Sequence, residues 1–275
     1  MQQNGPDSMS VSALSFSVAS SDANESRRER EQEFFDSLVR NQGSFNPFSD
    51  RGWQTIERRF VEFVQPLSGE RLLDIGCGTG ESRQLYVNHV GDYSGIDLSE
   101  ASIKYARRQY PDSAWDVADA CELPHPDASF DIVAFSSVLH HIDDYSQALV
   151  EAFRVLRPGG RVFAFDPNAF HPAMALFRNP NSPLYIAEGV SPNERPLRPH
   201  DLRSSFVAAG FDSVLQRCQS DIPYRAVAPR LINSVLSIYN FADCVWEAVG
   251  AGRRFGTFVI TSGTRPSSEA QHHEK

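Results

Sequence analysis

The sequence predicts an α/β protein built on a doubly wound, mainly parallel sheet, and three observations carry that prediction. Short apolar runs that read as buried strands alternate along the chain with stretches of helical periodicity. A glycine-rich turn, Gly76-Cys77-Gly78-Thr79-Gly80, joins the first such strand to the segment that follows it. Acids also stand where strands end, Asp74 and Asp97 among them, and open α/β sheets bind ligands at the carboxyl ends of their strands.

Before the sheet, residues 27–40 are heavily charged but place Phe34, Phe35, Leu38 and Val39 at helical spacing. Residues 53–64 repeat that pattern with Ile56, Phe60, Val61 and Val64. The first strand is 71–75, apolar except for Asp74, a carboxylate that is costly to bury without a partner. The glycine turn removes the Cβ atoms that would hold a ligand off the backbone, and a helix is expected over 81–88. The second strand, 92–97, ends in Asp97, whose carboxylate suits the two hydroxyls of a ribose. Ser99 is better placed than Asp97 to cap the helix 100–109. The third strand is 113–118, followed by Asp119 and Ala120. The fourth, 129–137, is almost continuously apolar, as a central parallel strand should be, and leads into Val138-Leu139-His140-His141. A helix over 145–156 is stopped by Arg157-Pro158-Gly159-Gly160, and a fifth strand runs over 161–165.

Gly-x-Gly-x-Gly preceded by an acid, with Glu81 where a third dinucleotide-type glycine would stand, weakens a nicotinamide reading. The turn resembles motif I of the class I S-adenosylmethionine-dependent methyltransferases. Phe130-Asp131-Ile132-Val133, Leu139-His140-His141-Ile142 and Leu156-Arg157-Pro158-Gly159-Gly160 follow in that family's order and spacing, so the resemblance covers about 71–166. It implies a Rossmann-like seven-stranded sheet of order 3-2-1-4-5-7-6 with strand 7 antiparallel, and S-adenosylmethionine as cofactor. It implies cofactor contacts from Asp74 (methionine amino end), Gly76, Cys77, Gly78, Gly80, Asp97, Leu98 (adenine face), Asp119 and Ala120 (adenine edge) and Ser136. Helices ahead of the sheet would lie over the cofactor.

Composition limits the alternatives. A net charge of −9 and a pI near 5.4 argue against a protein that grips nucleic acid by its phosphates. Four scattered cysteines, none in a Cys-x-x-Cys pair, are read as reduced thiols of a cytoplasmic-type compartment. Residues 1–25 lack Lys and Arg and read as a disordered leader, 26–262 as one domain, and 263–275 as a disordered tail. No apolar run is long enough to span a membrane, although peripheral contact stays open.

The last third is less regular. Residues 167–199 hold seven of the 17 prolines together with Met174, Leu176, Phe177, Leu184, Tyr185 and Ile186, which reads as a substrate lid. A helix over 200–210 and a strand over 211–218 follow, then an amphipathic helix over 230–249 within a second insertion of about 220–254, and a last strand over 255–261. His141, His140 and Asp166 are the candidate catalytic groups, with one histidine expected in the pocket and the other packed, and His171 a weaker candidate. Adjacent histidines rarely ligate one ion, so no metal is expected. There is no Asn-Pro-Pro-aromatic motif, Pro-Cys dipeptide or glutamate pair after the fourth strand, which discounts DNA bases and protein arginine as acceptors. The expected reaction is methyl transfer to an O, N or C nucleophile of a small, partly hydrophobic molecule. A cofactor-binding protein without activity and an NAD(P)-dependent oxidoreductase are the alternatives.

Overall fold

A computed structural model describes residues 10–225, 233–234 and 236–267, with side chains from Glu25 onward. Its centre is a seven-stranded sheet of order β3-β2-β1-β4-β5-β7-β6. The strands are β1 (Arg71–Ile75), β2 (Asp92–Asp97), β3 (Ala114–Val117), β4 (Phe130–Ser136), β5 (Leu156–Pro167), β6 (Asp212–Gln219) and β7 (Phe258–Thr264). The first five run parallel, and β7 pairs antiparallel with both β5 and β6.

Alternation along the strands sorts the core onto two faces. Leu73, Ile75, Val133 and Phe135 pack on one side against α4 (Tyr145–Val155) and α6 (Pro199–Ala208), through Leu149, Ala152, Leu202 and Phe206. Leu72, Ile132, Ala134 and Phe163 pack on the other against α2 (Asp50–Val64) and α3 (Glu100–Gln109), through Ile56, Phe60, Ile103 and Ala106. β4 is buried at every position, as its unbroken apolar run requires.

Several expectations change. The crossover after the glycine turn is a short 3₁₀ helix, Glu81–Leu85, rather than an α-helix over 81–88. Leu85 and Tyr86 are consecutive and both fully buried, and neighbouring positions do not share one face of an α-helix. The first helix, α1 (Ser10–Gln42), begins well inside the stretch expected to be a disordered leader. Neither Gly nor Pro occurs between Pro6 and Gly43, so nothing local stops it. At the other end, β7 runs two residues past 262. Arg265 then donates from Nη1 to the carbonyls of Phe153, Arg154 and Leu156, so this part of the expected tail is anchored. The insertion at 167–199 contains a short helix, α5 (Pro172–Phe177). The amphipathic helix expected over 230–249 is α7 (Leu236–Ala248), followed by α8 (Gly252–Phe255). Leu231 and Val235 lie outside the described residues.

Candidate active site

A cavity of about 1230 Å³ opens over the carboxyl ends of β1 to β4, larger than a single drug-sized ligand needs. The glycine turn forms part of its floor. Gly76 and Gly78 both have positive φ, 72° and 53°. At Gly76 a Cβ would stand 2.3 Å from the Val138 side chain, so glycine is needed there for packing. At Gly78 a Cβ would meet no atom within 4 Å, leaving backbone exposed to the cavity as a cradle for a ligand. Gly80, also at positive φ, does not line the cavity; its Cβ would strike Tyr110 and Trp115. Cys77 lines the cavity, but burial pushes its thiol well above the usual range, which leaves it inert.

Asp97 sits at the edge of this cradle. Its Oδ2 accepts from the Gly78 amide at 2.9 Å and its Oδ1 from the Ser99 amide at 2.9 Å. Each oxygen keeps a second acceptor direction, a match for two adjacent hydroxyls. Burial raises its carboxyl above the ordinary value, against the pull of these two amides. Ser99 caps α3 as expected, accepting from the Ser102 amide. Leu98, Asp119 and Ala120 line the same end of the cavity. Asp119 is already engaged, by Arg28 of α1 and by the Cys121 amide at 2.8 Å.

Asp74 is placed differently from expectation. It is fully buried and absent from the cavity lining, sealed by three hydroxyls: Ser136 at 2.5 Å, Ser82 at 2.6 Å and Tyr93 at 2.8 Å. Burial pushes its carboxyl up to about 6 in spite of those three donors. Ser136 and Ser82, which both hold Asp74, line the cavity themselves, so Asp74 lies behind its floor. The carboxylate that does reach this end is Glu81, raised by burial and held to the Thr79 hydroxyl at 3.2 Å. Sequence reasoning passed over Glu81 as a disfavoured glycine position, though an acid directly after a ligand-binding turn was the available signal.

His140 and His141 both line the cavity, His140 as a buried side chain and His141 as a partly exposed one. Asp166 is fully buried beneath them and does not line the cavity. Its Oδ1 takes the His140 backbone amide at 3.1 Å and pairs with His140 Nδ1 at 2.9 Å. Burial and the neighbouring His141 hold His140 below the usual imidazole range against Asp166. A neutral ring that donates Nδ1–H to Asp166 leaves Nε2 as a lone-pair acceptor. His141 Nδ1 lies 2.8 Å from Ser191 Oγ and 3.0 Å from Glu31 Oε1, and Phe35 meets its ring edge-on. His171 is buried off the cavity, with Nε2 3.8 Å from Asp243.

The roof comes from α1, unforeseen at the level of side chains. Arg27 pairs with Asp143 and Arg28 with Asp119, while Glu31 meets His141, Ser191 and the Asn193 amide. Asp36 accepts from Ser99 Oγ at 2.5 Å and from the Ala101 amide at 3.0 Å. From the far side, Met174, Phe177 and Ile186 of the proline-rich insertion, with Leu236 and Tyr239 of α7, supply an apolar wall. Leu176 and Leu184 of that insertion are exposed instead. No group of side chains among the described residues is arranged to hold a metal ion.

Residues 73–164, which contain the glycine turn, Asp97, Asp119 and both histidines, match the family described as Methyltransferase domain. The sheet order and the antiparallel β7 agree with that fold. This part of the chain is similar to the class I, S-adenosylmethionine-dependent methyltransferases in sequence and in fold. A demethylmenaquinone methyltransferase of Renibacterium salmoninarum is 31% identical over 160 residues, covering 51% of this chain and 65% of that protein. A 27-O-demethylrifamycin SV methyltransferase of Amycolatopsis mediterranei is 46% identical over 107 residues, 36% of this chain and 39% of that protein. The chain therefore spans less than two thirds of these relatives. A phosphoethanolamine N-methyltransferase of Haemonchus contortus, solved with S-adenosyl-L-methionine, superposes with a TM-score of 0.57 at 18% identity. That likeness covers 86% of this chain and 56% of that one. It lies in the fold.

Proposed function

We propose that the whole protein transfers a methyl group from S-adenosylmethionine to an O, N or C nucleophile of a small, partly hydrophobic molecule. The observation that carries this reading is Asp97, with one acceptor direction free on each oxygen, beside the uncovered backbone of Gly78 at the floor of an apolar cavity. In this arrangement Asp97 holds the ribose hydroxyls, Leu98 packs on the adenine and Ala120 meets its edge. Glu81 accepts the ammonium of the methionine end, the role the resemblance assigned to Asp74. The bound cofactor supplies an electrophilic methyl carbon.

The chain then has to align the acceptor and keep water out, an effect that can supply roughly 7–11 kcal/mol. The α1 roof and the wall of Met174, Phe177 and Ile186 do the excluding. His140 Nε2 takes the proton of an acceptor that must lose one, with Asp166 holding Nδ1–H as positioning residue. Such assistance contributes about 10²–10⁴-fold. The acceptors that the two relatives' names give, demethylmenaquinone and 27-O-demethylrifamycin SV, are both small molecules.

Calorimetric titration with S-adenosylmethionine, S-adenosylhomocysteine and NADH tests the reading. Both sulfur ligands are expected to bind. Asp97→Ala should weaken them about 100-fold, because two charge-assisted hydrogen bonds are lost at roughly 1.5 kcal/mol or more each. Binding of NADH alone would sink the proposal.

A further inference from the structure

We infer that the outer face of α7 docks the protein on an anionic phospholipid surface. The helix is amphipathic the wrong way round for a solvated surface element. Its two acids both turn inward: Asp243 is buried and takes Thr257 Oγ1 at 2.7 Å, and Glu247 pairs with Arg217 at 2.8 Å. The side facing out carries Ile238, Phe241, Val245 and, just past the helix, Val249, at 70%, 72%, 43% and 71% exposure, with no charge among them. A continuous exposed apolar stripe marks an interaction surface rather than chance exposure.

Its borders decide what it meets. Directly after the stripe, α8 presents Arg253 and Arg254, both exposed and without a carboxylate within 4.0 Å among the described residues. Two exposed cations that follow an apolar helical face within five residues, Arg254 lying over the Phe255 ring at 5.5 Å, in a protein of net charge −9 fit the layered chemistry of a bilayer rim, apolar chains beneath anionic headgroups. A second copy of this chain would bring the same two cations and no complementary acids on the stripe. Trp246, whose Nε1 donates to the Phe255 carbonyl at 3.2 Å, sits at the same edge, the position amphipathic rings take at membrane interfaces. The opposite side of the helix lines the cavity through Leu236 and Tyr239, and Tyr239 meets His171 at the start of α5. An apolar acceptor could thus pass from the lipid to the cavity beside one helix, a point that rests on the proposed function, whereas the docking surface itself does not.

The test is flotation of the full chain with phosphatidylcholine vesicles with and without phosphatidylglycerol. Binding is expected with phosphatidylglycerol, falling about fivefold for each of Arg253→Gln and Arg254→Gln. The pair Ile238→Ser and Phe241→Ser should reduce it tenfold or more. Trp53 and Trp115 are buried, so quenching by brominated lipid reports Trp246 in the unmodified protein and needs no variant. S-adenosylhomocysteine titration on the same proteins checks that they are folded and separates this inference from the catalytic one. Absence of vesicle binding overturns the inference, as does binding indifferent to both sets of substitutions. So does a dimer in light scattering that the Ile238/Phe241 pair dissociates.

Discussion

At the scale of single residues, two acids near the glycine turn differ in what they face: Glu81 lines the cavity and Asp74 does not. Asp74 holds the right position in the sequence, yet three hydroxyls from β2, β4 and the 3₁₀ turn wall it in. Its folded carboxyl is raised to about 6 from 3.8. The folded state therefore holds the proton more tightly, and stability falls as pH rises from about 4 through 6. The full effect is of order 3 kcal/mol. Asp74→Asn should lack this fall, so the stability difference between wild type and variant changes sharply between those pH values; urea denaturation at each end measures it, and a constant difference counts against the argument. Glu81→Gln should weaken S-adenosylhomocysteine by roughly ten- to a hundredfold. It should leave methylthioadenosine, which has no amino-acid end, bound as before. Equal loss for both ligands would remove Glu81 from the methionine pole.

At the scale of elements, α1 acts as a fastened roof, and its fasteners differ in worth. Arg28 and Asp119 form a half-exposed pair, a class that typically contributes about 1 kcal/mol or less. Glu31 is buried and serves His141, Ser191 and the Asn193 amide, and the hydrogen bonds and charge of His141 outweigh burial to lower its carboxyl. Glu31→Ala should accelerate S-adenosylhomocysteine release about tenfold, an order set by the loss of a buried hydrogen-bonded charge. Arg28→Ala should change it little; stopped-flow displacement reads both. The resemblance implied helices over the cofactor, but the side-chain contacts of this roof were not legible in the sequence, because they join positions more than sixty residues apart. The stripe of Phe34, Phe35 and Leu38 foretold a helix, and only the resemblance said what it would cover. By contrast β1, β2 and α3 begin and end where their periodicity and caps put them. Asp97 was legible for the same reason, since a strand end fixes its direction. The enclosure of Asp74 was not legible, because closure by three hydroxyls is a property of packing, not of spacing.

At the scale of the whole molecule, the cofactor site is assembled from α1, β1, β2, β4 and the loops after β3, so binding there should stabilise all of them together. S-adenosylhomocysteine at a hundred times its Kd should add about 2.7 kcal/mol to the folded state. For a chain of this size that corresponds to a rise in Tm of roughly 5–10 °C. NADH at equal concentration should leave Tm unchanged; differential scanning calorimetry decides between them.

The position of β7 bears on how the chain is made. It is the last strand in sequence but lies between β5 and β6, and among the described residues β6 has no other strand beside it. On the ribosome the five parallel strands can assemble while β5 keeps an open edge, and β6 waits with no partner until Phe258–Thr264 emerges. Until then two lengths of backbone present unpaired donors and acceptors, the condition under which nascent chains stick to one another. A chain stalled before Phe258 should thus depend on chaperones far more than the finished protein does.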